Sequence, residues 1–522
     1  MRRIIAPTLF AILLASLLVR LPSAVAVRSD SMERFDPLLE SRRILLEEYV
    51  RSVDDEAATV AAVEGYVSAL GDPFTSFVAP AEEEAFTRSI RGEYAGIGAE
   101  VSTVDGRFTI TSPMPDSPAL EAGLRAGDVV LEVDDVPVAG MRSDEVIERL
   151  TGPAGTPVQV RLQRPDGSTF ETTIVRRRIV APTVRGLVRA GEGWHWCLDA
   201  THGIRYVRVT QFVDDTAEEL EAALAPTGEP FEALVLDLRD NPGGGLPGAI
   251  QVTDLFLDEG AIVRVQPRTG EGRTYEATPG TVVPRDVPIA VLVNEASASA
   301  SEIVAGALQE AGRAVVIGTR TYGKGSVQQV RRLDTAAGTL KFTVANWELG
   351  SGRRLQRIAG EDTWGIDPDP GFEVILSDRE QAEVLIARRA AEAIHESDAE
   401  YGDRPPSASD CRTIEWVEEE LLDRVLATAA RALVHRLDEG AWPQPEPDVA
   451  DEDRRRRLVE LRQLEALMSD IDARRVEIQA RMRTLREALE GPLAGEPPDA
   501  SAEAPVAAAD DADDADDADD DG

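Results

Sequence analysis

Ile289-Ala290-Val291-Leu292-Val293-Asn294-Glu295-Ala296-Ser297-Ala298-Ser299-Ala300-Ser301-Glu302 is the stretch on which the fold turns. Its first five residues form an unbroken apolar run, the pattern of a strand buried on both faces. The serine-rich part opens a helix read over 300–311. A buried strand running through a short turn into a helix is the mark of α/β architecture. Three runs of the same kind surround it: Tyr206-Val207-Arg208-Val209, Leu234-Val235-Leu236-Asp237-Leu238 and Ala314-Val315-Val316-Ile317. A further helix is read over 248–256. Residues 184–376 therefore predict an α/β body.

On its N-terminal side, residues 92–178 change texture to short strands with Gly and Pro turns. Ser117-Pro118-Ala119 starts a short helix there, and residues 143–150 read as an N-capped one. Residues 31–90 look helical, with Leu38, Leu39, Ile44, Leu45, Tyr49 and Val50 on a helical period and a break at Gly71-Asp72-Pro73. The first residues combine Met1-Arg2-Arg3, an apolar run over 4–19 and Leu21-Pro22-Ser23-Ala24-Val25-Ala26. That is the layout of a signal peptide cleaved after Ala26. Arg20 interrupts it, so an uncleaved N-terminal anchor stays open. Either way an exported, periplasmic or extracytoplasmic body is expected.

On the C-terminal side, residues beyond 379 read as helices. Leu461, Leu464, Met468, Ile471, Ile478, Met482, Leu485 and Leu489 alternate three- and four-residue steps, a heptad seam broken by Arg475. One amphipathic helix lying on the body explains this as well as a homodimer or partner helix does. The end, through Gly522, is an Asp/Ala tail of the disordered type. The expected organisation is a leader or anchor over 1–26, helices over 27–91, a strand-rich module over 92–180, the α/β body over 181–376, helices and coiled coil over 377–490 and the acidic tail over 491–522.

A chain of 522 residues, 43 % hydrophobic and 29 % charged, has material for two or three domains with real cores. The formal net charge of −40 argues against nucleic acid and anionic membrane as partners. Cys197 and Cys411 are the only cysteines. Export permits their pairing, but two residues make no disulfide framework, and two buried free thiols explain them at least as well. No Cys/His cluster has metal-ligand spacing, and no cofactor or metal is expected.

Among 55 basic residues, only Lys324 and Lys341 are lysines. Codon preference explains an arginine-rich surface. A lysine kept against that background asks for a reason, and arginine cannot lose its proton in a protein. Lys324 lies in Thr321-Tyr322-Gly323-Lys324-Gly325-Ser326-Val327-Gln328, where flanking glycines admit close backbone approach. The spacing of a phosphate-binding loop is missing. Ser299 sits at the start of a helix, at the positive end of its dipole, with the next N–H free to face an oxyanion. Ser299-x-x-Glu302 is also an ordinary capping box, and a helix cap explains the serine equally well. A serine nucleophile needs a neighbour to take its proton. His195 and His202 share one irregular stretch, and His395 and His435 lie on C-terminal helices, so a Ser–Lys pair fits better than Ser–His–Asp. Asp237-Leu238-Arg239-Asp240-Asn241-Pro242-Gly243-Gly244-Gly245 ends a buried strand in a glycine turn of the kind that presents N–H groups to an anion.

These three pieces together resemble the carboxyl-terminal processing, or tail-specific, serine peptidases. The family's Ser-Ala-Ser-Ala-Ser-Glu and Gly-Lys-Gly-Ser-Val-Gln pattern is matched nearly residue for residue around Ser299 and Lys324. The resemblance implies Ser299 as nucleophile, Lys324 as base, Gln328 orienting the lysine, and an oxyanion hole from the backbone of Gly243 and Ala300. It implies a crotonase-like α/β protease core without metal. Residues 92–178 resemble the family's PDZ domain, and Gly96-Ile97-Gly98-Ala99 its carboxylate-binding loop, which captures the C-terminal tails of protein substrates. Leu70-Gly71-Asp72-Pro73-Phe74-Thr75-Ser76-Phe77 also looks like the family's N-terminal region. Glu310 falls where many members carry a supporting aspartate. The rivals are a catalytically inactive PDZ scaffold and a PDZ-bearing chymotrypsin-like protease. The second needs a Gly-Asn-Ser-Gly-Gly type loop that is not in the sequence.

Overall fold

The computed structural model describes residues 33–444, apart from 91–92, 105, 191–192, 226–230, 335–337, 359–360 and 395–410, together with scattered helical positions between 457 and 482. The leader and the acidic tail lie outside the described residues.

Two helices come first, α1 (Asp36–Glu48) and α2 (Asp55–Ser68). The periodic apolar face of α1 exists, but no residue of that helix is buried. Strand β1 (Ser76–Val78) then crosses to a distant part of the chain, pairing Ser76 with Lys341.

The strand-rich segment forms an antiparallel sheet of β2 (Ala99–Val104), β3 (Arg107–Pro113), β4 (Val129–Val133), β5 (Pro157–Gln163) and β6 (Thr169–Val175), in that spatial order. Helix α3 (Ser143–Leu150) buries Val146 and Leu150 against it, with Ile110, Val130, Val158, Val160 and Leu162 as the core. Alternation along β5 sets Val158, Val160 and Leu162 inward, as period two requires. Strand β2 is an edge, hydrogen-bonded to β3 alone among the described strands.

The α/β body is built on β7 (Ile204–Val209), β8 (Ala233–Asp237), β9 (Ile289–Val293) and β10 (Ala314–Gly318), parallel and in sequence order. Successive residues serve opposite layers. Val207, Leu234, Leu236, Val291 and Val316 pack under helices α4 (Leu246–Asp254) and α5 (Ala300–Glu310). Tyr206, Val235, Ala290, Leu292 and Ile317 face the other way, toward the C-terminal helices. This two-sided burial explains why the strands read as continuous apolar runs. Helix α4 begins two residues before the expected 248, because Pro247 fits a first turn whose N–H groups have no helical acceptors. A second, antiparallel sheet carries β11 (Ser326–Arg332) beside β12 (Thr339–Leu349), and β1 joins it at the other edge of β12.

Beyond the α/β body, α6 (Asp378–Glu392) and α7 (Arg424–Glu439) complete the layer opposite α4 and α5. Cys197 and Cys411 form a disulfide, the pairing that the sequence left open. The C-terminal chain docks beside the Cys197 strand, where Arg412 N–H donates to the Cys197 carbonyl. Two cysteines 214 residues apart give no sign of this while the docking of that chain is unknown. Residues 447–522 form a separate unit. Leu461, Leu464, Met468, Ile471, Ile478 and Met482 are helical and exposed there, while Leu485 and Leu489 lie outside the described residues.

Candidate active site

Three alternate serines follow β9, and the structure treats them differently. Ser297 is fully buried. Its hydroxyl donates to the Leu238 carbonyl at 2.8 Å and accepts the Asn294 N–H at 3.0 Å. Ser301, also buried, donates to the Asn241 carbonyl at 2.9 Å. Both pin the turn to the end of β8. Ser299, between them, is only half-buried. Its backbone lies at φ 55°, ψ −111°. Capping serines sit in the extended region, as Ser117 (φ −97°, ψ 154°) and Ser377 (φ −68°, ψ 161°) do in this chain. A left-handed non-glycine residue costs about 1–3 kcal/mol and persists where surrounding structure imposes it. The cap reading of Ser299 therefore fails to account for its backbone.

Glu302 imposes that geometry. It is fully buried, and one oxygen accepts the N–H groups of Ser299 at 2.7 Å and Lys324 at 2.9 Å. The other accepts the Gly323 N–H at 2.7 Å and the Thr321 hydroxyl at 2.6 Å. One carboxylate thus clasps the serine turn to the lysine loop. Burial pushes its pKa up, opposed by these donors. Tyr322 N–H adds a second tie, to the Ser297 carbonyl at 3.0 Å. Sequence reasoning saw Glu302 only as half of a capping box. The signal was present in Ser-x-x-Glu, but the second client was not.

Lys324 follows β10 on a loop whose glycines do what their position suggests. A side chain at Gly323 (φ +87°) would meet Trp364 at 2.6 Å, and one at Gly325 would meet the Gln356 N–H at 2.8 Å. The lysine is half-buried, with Nζ 4.7 Å from the centre of the Phe74 ring. Burial pushes its pKa down, and the positive charge of Lys341 adds to that, while Glu302 and Asp72 oppose. Phe74 acts in two opposite ways. Its ring face favours the ammonium by about 0.5–2 kcal/mol. Its exclusion of water disfavours a charge by several kcal/mol when complete. Desolvation is the larger effect, so the net direction is toward the neutral amine. The chain's two lysines therefore bear on one site, although the sequence reading singled out only Lys324.

Gln328 lies on β11. Its amide donates to the Ser326 hydroxyl at 2.9 Å and to the Thr343 hydroxyl at 3.3 Å, and neither bond reaches Lys324. Gly243 lies against the serine. At φ +98°, a side chain there would meet the Ala298 carbonyl at 2.6 Å and both Ala300 N and Ser299 Cβ at 2.9 Å. The Gly243 N–H itself donates to Asn241 Oδ1 at 2.8 Å. The glycine turn thus lies close against the Ala300 N–H and Ser299, with the Gly243 N–H bonded to a buried asparagine. Glu310, at the other end of α5, bonds Ser351.

Two family models match the chain. The one for peptidase family S41 covers residues 203–371, and the one for the PDZ domain covers residues 109–164. A carboxy-terminal-processing protease of Bartonella bacilliformis is 35 % identical over 356 residues, 67 % of this chain and 76 % of that protein. The carboxy-terminal processing protease CtpA of Bacillus subtilis is 31 % identical over 63 % of this chain and 68 % of its own length. The chain belongs to peptidase family S41. Among solved structures, the photosystem II D1 C-terminal processing protease is 30 % identical over 64 % of this chain and 86 % of its own, at a TM-score of 0.38.

This S41 peptidase is accordingly a serine protease with a PDZ domain, and the inactive-scaffold alternative finds no support. In its PDZ module, Gly96-Ile97-Gly98-Ala99 leads into the edge strand β2. Gly98 stands at φ +75°, where a side chain would lie 2.5 Å from Ser117 Cβ. The carbonyls of Ile97 and Gly98 accept the N–H groups of Ala119 and Met114 at 2.8 and 2.9 Å. The S41 peptidase holds no group of His, Cys, Asp and Glu side chains suited to a metal ion among the described residues. Sequence reasoning also missed Asp72. Its carboxylate accepts the Phe74 N–H and the hydroxyls of Thr75 and Thr343 at 3.0, 2.6 and 2.7 Å.

Proposed function

We propose that this S41 peptidase hydrolyses internal peptide bonds near the C-termini of protein substrates, with Ser299 as nucleophile and Lys324 as general base. Ser299 Oγ attacks the scissile carbonyl and its proton passes to neutral Lys324. The oxyanion develops toward the Ala300 N–H, and Gly243 joins as second donor by turning its N–H from Asn241 Oδ1. The ammonium of Lys324 then protonates the departing amine, which leaves an acyl group on Ser299. Water, deprotonated by Lys324, releases that group. Gln328 supports the lysine at one remove, through Thr343 and Asp72. The observation that carries this reading is Glu302, a buried carboxylate bound to the backbones of both Ser299 and Lys324.

The PDZ module takes the substrate's C-terminal carboxylate at Gly96, Ile97, Gly98 and Ala99, and the tail adds as a strand to the edge of β2. A disulfide in so cysteine-poor a chain fits an exported protein in an oxidising compartment. The exposed apolar positions of residues 461–482 fit pairing with a second copy.

Lys324→Arg tests the mechanism, because it keeps the charge and removes only the capacity to be neutral. Cleavage of a tailed protein substrate is expected to fall to the level of Ser299→Ala. Cleavage that survives Lys324→Arg sinks the assignment of the base.

A further inference from the structure

The turn over residues 71–75 comes from the N-terminal helical region, far in sequence from the catalytic residues. Asp72 organises it. Oδ1 accepts the Phe74 N–H at 3.0 Å, and Oδ2 accepts the Thr75 hydroxyl at 2.6 Å. The same oxygen accepts the Thr343 hydroxyl of β12 at 2.7 Å, and Thr343 N–H donates to the Thr75 hydroxyl at 3.2 Å. The turn is thus stapled to the strand whose Thr343 also receives the Gln328 amide. From this staple the Phe74 ring extends over Lys324, 4.7 Å from its Nζ.

Anchoring β1 to the body does not require that ring. Phe77 and Val78, within β1, are the buried residues, at 9 % and 7 % exposure. Phe74 is half-buried and lies on an amine. We infer that Phe74 is a positioning residue for the general base, a cover that keeps water from Lys324 Nζ, and that Asp72 holds the cover in place. The inference rests on the reading of Lys324 as the base. The groups facing Lys324 are known from each element packed on it: Glu302 from α5, Lys341 from β12, Asp72 and Phe74 from the turn. Of these, Phe74 is the one uncharged group, so its loss admits water without removing a charge.

The sign follows. Water admitted to Nζ stabilises the ammonium, so a higher pH is needed to reach the neutral base. The test is the pH profile of kcat/KM on a tailed peptide, with full-length protein and thermal midpoints measured in parallel. Phe74→Ala is expected to move the limb on which Lys324 deprotonates upward by about one pH unit. That lowers kcat/KM about tenfold at pH 7 and leaves most activity recoverable at high pH. Phe74→Leu, which keeps the bulk without the aromatic face, and Phe74→Tyr are expected to keep the limb near its original position. A limb unmoved in Phe74→Ala, or one equally displaced in Phe74→Leu, overturns the inference. Lys324→Arg separates the two layers. If it is dead while Phe74→Ala has an unmoved limb, only the inference fails; if it cleaves, the base assignment fails and takes the inference with it.

Discussion

The loop over residues 237–244 lies against Ser299 and the turn over residues 71–75 lies against Lys324, the two proposed catalytic residues, and they are held by different chemistry. Behind Ser299, Arg239 is buried between two carboxylates, bonding Asp237 at 2.6 Å and Asp423 of the C-terminal chain at 2.8 Å. Tyr206 donates to Asp237 as well, and Arg388 of α6 reaches Asp240 at 2.7 Å. Beside Lys324, the turn is half-exposed and its staple is made largely of hydroxyls. The nucleophile side is fixed by paired charges in a dry interior, where removing one partner strands the other. On the Lys324 side, loss of a contact is expected to tune a titration without deciding the fold.

Glu302 joins the two sides, so its loss is expected to have the largest effect. Glu302→Ala leaves three N–H groups and a hydroxyl without an acceptor, and frees Ser299 from its strained backbone. We expect kcat/KM to fall about a thousandfold, from misplacement of both reacting groups, with a lowered thermal midpoint. A kcat/KM within tenfold of the parent enzyme contradicts the clasp.

Asp423→Asn attacks the nucleophile side alone. It is expected to cost roughly 3 kcal/mol of stability in denaturant unfolding and to lower kcat more than it raises KM. Acid brings a related loss. Burial raises the Asp237 pKa, but Arg239 outweighs burial and holds it at about 2. A carboxylate with a depressed pKa contributes stability above its unfolded value near 4, and that contribution disappears as pH falls toward 2.

Lys341→Met makes the smallest change, on the base side alone. Removing a positive charge lets the Lys324 pKa rise, so the kcat/KM limb moves up by a few tenths of a pH unit. High salt, which screens the Lys341 charge, is expected to narrow the difference between the two limbs.

The α/β body was legible because both faces of its strands are buried, so the apolar runs carried no ambiguity of face. Ser299 was visible but undecided, since a capping box and a nucleophile turn share the letters Ser-x-x-Glu. Only the backbone angles of Ser299 separate them. Lys324 was legible through the scarcity of lysine. Asp72 and Phe74 were not, because a Gly-Asp-Pro-Phe-Thr turn reads as a helix break until β1 is seen crossing to β12. The C-terminal helices looked like an appendage. Their link to Arg239 and Asp240 depends on charges that any solvated helix face also carries.

The Cys197–Cys411 bond closes a covalent ring that contains the glycine turn, the serine, the lysine and Gln328. A nick anywhere inside that ring, including one made by a sister molecule, leaves the fragments tethered. For an enzyme whose trade is cutting chains, its own catalytic segment is the part least easily lost to a single cut.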